Sequence, residues 1–134
     1  MDHSQLLSST VEIGLDLLEK DGSFIPFCRA VNAAGETFLY TTKTKTSCSS
    51  EQAFNSVLIL VKKEIPIRGL IGLAFCFDSR VRLSDSEKKV PAIEVELHYK
   101  WMQSANWYFL YNLEGGNATV LEYYTKAGNE DLFA

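Results

Sequence analysis

Leu7, Val11, Leu15 and Leu18 recur at spacings of four, four and three, which sets them on one face of a helix. With Asp2 or Ser4 to cap its start and Gly22 to stop it, the spacing predicts a helix over about residues 4–20. The pattern then changes. FIPFCRAV and ETFLYT are β-branched and aromatic runs separated by Asn32-Ala33-Ala34-Gly35, and predict a β-hairpin. Pro26 lacks an amide hydrogen and is expected to push the first of these strands towards an edge or a bulge. The polar stretch TTKTKTSCSS reads as an exposed loop and ends where Ser49 and Gln52 have capping-box spacing. Ala53, Phe54, Val57, Leu58 and Val61 line one face of the helix that follows, which is expected to run to about Lys63 because Pro66 disfavours helical geometry in Ile65.

From Gly69 the period shortens. LIGLAFCF is almost continuously apolar, as in a strand covered on both sides, and predicts the central strand; its continuation DSRVRL alternates. After the polar turn Ser84–Lys89, Ile93, Val95, Leu97 and Tyr99 alternate with Glu94, Glu96, His98 and Lys100, giving one buried face and one wet face. WYFLYNL and ATVLEYYT, joined through Glu114-Gly115-Gly116-Asn117, predict a last hairpin. The expected order is α-β-β-α-β-β-β-β: one α+β domain over residues 1–134, with an antiparallel sheet of about six strands and both helices packed on one face. The tail from Lys126 to Ala134 is expected to fray, with Leu132 and Phe133 as the residues able to dock.

Composition narrows the function. The 134 residues include 13 Lys and Arg against 17 Asp and Glu, a formal charge of −4, with 46% hydrophobic and 22% charged residues. A folded chain is expected, and the acidic balance removes the usual electrostatic case for nucleic acid or an anionic membrane. The first 20 residues carry Asp2, Glu12, Asp16 and Glu19 without a basic start or an unbroken apolar run, so they do not read as a secretory signal. Three widely spaced cysteines, Cys28, Cys48 and Cys76, argue against a disulfide framework and for a cytoplasmic setting. Gly69-Leu70-Ile71-Gly72 and Gly115-Gly116 match no phosphate-binding fingerprint, and no cofactor is indicated.

Three groups of residues can carry chemistry. A register that sets Arg80 opposite Glu96 brings Asp78 opposite His98, and Asp78, Glu96 and His98 then form an acid/base or metal-binding cluster; ion pairs across a solvated face are the plainer outcome. Cys48, beside Lys43 and Lys45 and just before a helix N-terminus, has features that favour a thiolate nucleophile. Neither His3 nor His98 supplies a recognisable partner for it. Aromatic residues concentrate late, and neighbouring strand positions cannot share a face: Trp107, Phe109 and Tyr111 fall on one side, Tyr108 and Leu110 on the other. An aromatic surface built from Trp101, Trp107, Tyr108 and Tyr123 is therefore the expected contact for a protein partner or for self-association. The expected function is a protein-binding or accessory module; the alternatives are an enzyme, thiol-dependent through Cys48 or hydrolytic through Asp78, Glu96 and His98, and a small-ligand carrier.

The run Leu17-Leu18-Glu19-Lys20-Asp21-Gly22-Ser23-Phe24-Ile25-Pro26-Phe27, followed by Gly35-Glu36, resembles the opening of small bacterial proteins of uncharacterised function, in which a helix ending L-x-x-x-G-x-F-x-P-F leads into a first hairpin. The resemblance covers about the first third of the chain. It implies a single α+β domain of bacterial origin and no particular reaction.

Overall fold

The computed structural model describes residues 1–42, 49–82, 88–128 and 130–133. Eight elements follow in the expected order: α1 (His3–Asp21), β1 (Phe27–Asn32), β2 (Thr37–Tyr40), α2 (Ser50–Arg68), β3 (Leu70–Arg82), β4 (Lys89–Tyr99), β5 (Ala105–Glu114) and β6 (Asn117–Ala127). The six strands form one antiparallel sheet in the order β2-β1-β3-β4-β5-β6. The class is α+β. The loop expected within 41–50 and the turn expected at 84–89 fall largely outside the described residues, as does Cys48.

Both helices start from capping boxes, Asp2 with Gln5 and Ser49 with Gln52, which satisfy amides that the first turn leaves without partners. Gly22 and Gly69 end them in the left-handed conformation, at φ +78° and +63°. α2 therefore runs past the expected boundary. Pro66 sits inside its last turn, where the loss of one backbone hydrogen bond is tolerated, and Gly69 is the residue that stops it. Pro26 lies just ahead of β1, so it removes no ladder hydrogen bond, and β1 is an interior strand between β2 and β3.

The expectation that both helices share one face is corrected by the packing. Leu6, Val11 and Leu18 of α1 bury against Phe27, Val31, Ala74, Cys76, Ile93, Val95 and Leu97. Val57 and Val61 of α2 bury against the alternate strand positions Cys28, Ala30, Leu73 and Phe75. Successive residues of a strand point to opposite sides, so the helices lie on opposite faces and the sheet is the middle layer. The physical reason is β3: an apolar run on both of its faces needs a cover on both. α1 comes closest at Gly14, where an added Cβ would sit 3.3 Å from Ile93 Cδ1 and 3.4 Å from Cys76 Sγ. In the tail, Lys126 and Ala127 belong to β6, and Leu132 and Phe133 dock against the α2 core. No described helix is long and apolar enough to cross a membrane.

Candidate functional site

The register of β3 with β4 decides the fate of the proposed acid/base cluster. Asp78 stands opposite Ile93, Arg80 opposite Pro91 and Arg82 opposite Lys89, while Glu94, Glu96 and His98 stand opposite Phe77, Phe75 and Leu73. Asp78 therefore faces α1, and Glu94, Glu96 and His98 face α2. The sheet separates them. Asp78 accepts a hydrogen bond from Tyr111 Oη at 2.8 Å and lies 3.5 Å from Arg80 Nη1. Burial pushes the Tyr111 hydroxyl up from its ordinary pKa, and the bond to Asp78 holds its proton further. Among the described residues no group of three His, Cys, Asp or Glu is placed to hold a metal ion.

What the sequence presents as the wet face of β4 is in part enclosed. α2, β3, β4, the start of β5 and the C-terminal tail surround a cleft of about 300 Å³, walled by Phe54, Leu58, Phe75 and Leu132 and carrying Glu96, His98, Ser104, Asn106 and Glu130 as its polar residues. The tail forms one wall because the Gly128 amide donates to the Ser104 carbonyl at 2.9 Å and Ser104 Oγ donates to the Glu130 carbonyl. Gly128 is required there: a Cβ would meet Ser104 Oγ at 2.2 Å.

His98 is 5% exposed, its ring edge-on to Phe75 at 5.9 Å. Its Nε2 lies 3.9 Å from Glu96 Oε2, too far for a hydrogen bond, and its buried Nδ1 has no partner among the described residues. Glu94, on the same face, has its pKa raised by burial and then by the Glu96 charge, against a lowering hydrogen bond from Ser79. No Lys or Arg is among the described residues lining the cleft, so its field favours cations.

The aromatic set divides three ways. Trp107 and Tyr123 lie on the α1 face with Phe109, where the Trp107 and Phe109 rings are 6.2 Å apart and Tyr123 is 6.0 Å from Trp107. Tyr108 lies on the α2 face and stacks on Tyr124 at 4.8 Å, with Lys126 Nζ 5.8 Å above the Tyr108 ring. Trp101 stands apart in the β4–β5 turn, 85% exposed, under Lys100 Nζ at 5.3 Å. Compared with known proteins, the chain matches no family model, no curated protein and no solved structure. The surfaces themselves carry the functional argument.

Of the cysteines, Cys28 and Cys76 are fully buried in the two cores, and burial raises both thiols well above their ordinary pKa, which leaves them in the unreactive form. Sequence reasoning missed the enclosure of His98 and the role of Gly128. The signal for the first was present in Leu132 and Phe133, which needed an apolar surface to dock on.

Proposed function

We propose that the chain is a protein-binding or accessory module whose contact surface is the β5–β6 hairpin. One observation carries this reading: β6, eleven residues long, is the last strand of the sheet, with Leu121 66% exposed and Tyr123, 64% exposed, beside the Trp107 and Phe109 rings. Beyond Ala118, whose amide donates to Glu19, a partner segment in extended conformation finds there a row of backbone donors and acceptors that no strand pairs, together with aromatic side chains. The bacterial origin follows the resemblance of the Leu17–Phe27 opening, and a reducing cytosol suits the free, buried Cys28 and Cys76.

A display library of random extended peptides tests the reading. Peptides are expected that bind the native chain and lose at least about tenfold in affinity to a Leu121→Asp/Tyr123→Asp variant. Enrichment of no peptide, or of peptides indifferent to both changes, contradicts it.

A small-ligand carrier is the second reading, favoured by the unpartnered Nδ1 of His98 beside the acidic, Phe-lined cleft. The chemistry suits a compact amine with an apolar body. Such amines are expected to raise the melting temperature where their carboxylate analogues do not; equal effects of both classes, or none, contradict the carrier.

A further inference from the structure

We propose that β6 pairs antiparallel with β6 of a second copy of this chain, about a two-fold axis through Tyr124. The inference rests on the reading of β6 as the contact strand and names its occupant. β6 has one strand neighbour, β5; near its start the Ala118 amide donates to Glu19 Oε2 at 3.0 Å, and from Glu122 to Lys126 it pairs with β5 without interruption: Glu122 opposite Leu110, Tyr123 opposite Phe109, Tyr124 opposite Tyr108, Thr125 opposite Trp107 and Lys126 opposite Asn106. Leu121 is skipped by that register and forms a bulge, which bounds the regular segment at one end; Ala127 ends the strand at the other.

Charge selects the register within that segment. With the axis at Tyr124, Glu122 faces the partner's Lys126 and Lys126 faces the partner's Glu122, so both charged residues of the segment are matched twice over. An axis at Glu122 or at Lys126 sets like charges opposite each other. An axis at Tyr123 or Thr125 sets both against uncharged residues.

The same axis continues the aromatic packing. Tyr124 already stacks on Tyr108, 15° from parallel, so its meeting with the partner's Tyr124 lengthens a pair into a row of four rings on the α2 face. Tyr123 then faces the partner's Thr125 on the α1 face. The opposing possibility is that Lys126 guards the edge against pairing, as lysines at sheet edges do; the chain is then a monomer.

Light scattering of the full chain, over a roughly hundredfold range of concentration, decides between them. A dimer is expected. Glu122→Lys and Lys126→Glu are each expected to weaken it at least about tenfold at low salt, and the double exchange E122K/K126E to restore it to within about threefold. Tyr124→Cys is expected to give a disulfide-linked dimer on oxidation, since residues across such an axis lie within disulfide reach, and Thr119→Cys is expected to give none. A monomer at every concentration, a dimer indifferent to both single reversals, or a double exchange that fails to rescue overturns the proposal. A monomer that still binds the display peptides removes the second copy alone; a monomer that binds none removes the contact strand as well.

Discussion

The middle of the sheet and its β6 edge are built differently. β1 and β3 are sandwiched between α1 and α2, and most of their residues are buried on both faces. β5 and β6 are richer in aromatic residues, yet half of β5 is only half-buried and eight of the eleven residues of β6 are exposed. The difference lies in the cover. α2 packs on β1, β2 and β3, so among the described residues the α2 face of β5 and β6 is left to the tail at the start of β5 and, beyond it, to the paired tyrosines and Lys126. A strand of apolar residues is thus a core element in the middle of the sheet and a surface at β6, where it is open to a partner.

Core truncation breaks the comparison most sharply. Phe75 is fully buried, with Phe54 edge-on at 5.6 Å and His98 on its other side, and Phe75→Ala is expected to cost about 3–5 kcal/mol. Tyr123→Ala, at the open end, is expected to cost less than about 1 kcal/mol. Urea unfolding of both variants measures the gap, and equal costs contradict the division.

Gly72 tests the covered half more finely. A Cβ there would lie 2.8 Å from the Tyr99 ring and 2.9 Å from Val31 Cγ1, so Gly72→Ala is expected to destabilise by about 1–3 kcal/mol. Tyr99 also donates to the Met1 carbonyl, and a Tyr99→Phe change in the same background separates ring crowding from that bond. At the far end of β4, Trp101 holds φ at +68°, a conformation that costs a side-chain-bearing residue about 1–2 kcal/mol. Set against the greater freedom glycine has in the unfolded chain, Trp101→Gly is expected to be neutral to ~1 kcal/mol stabilising in thermal unfolding. A loss of stability means that the exposed ring packs more than its surroundings indicate.

Glu94 gives the smallest effect and the clearest sign. Burial and Glu96 raise its pKa, so the folded state holds the proton more tightly than the unfolded chain does, and ionising it weakens the fold. That cost is absent below the unfolded carboxylate range and complete once pH passes the folded pKa. Glu94→Gln is therefore expected to raise the melting temperature at about pH 7 and to leave it nearly unchanged at about pH 3. The opposite trend contradicts the enclosure of this face.

Much of the fold was legible because its signals are local. The Ser49–Gln52 capping box, the Gly22 stop, the period of two in β4 and the Gly115-Gly116 turn each act over a few residues, and the element order follows from them. The layer arrangement was legible in principle: LIGLAFCF reads as a strand covered twice, which two helices on one face cannot supply. The register of β3 against β4 was not, because it is set by packing partners far away in sequence. Asp78 consequently parted from Glu96 and His98. The four aromatic residues read as one surface lie apart, Trp107 and Tyr123 on one face, Tyr108 on the other and Trp101 in a turn, because the alternation of adjoining strands fixes which side chains share a face. The enclosure of His98 needed the tail, and a tail's docking site is a property of the finished fold.

Residue-resolved hydrogen exchange of the dilute and the concentrated protein tests the central claim, that the sheet has a sealed middle and an open β6 edge. The account predicts β3 amides protected to the level of global unfolding at every concentration. It predicts β6 amides protected when dilute only where they face β5, with the outward ones slowing as concentration rises. Protection of β6 equal to that of β3 at all concentrations contradicts it.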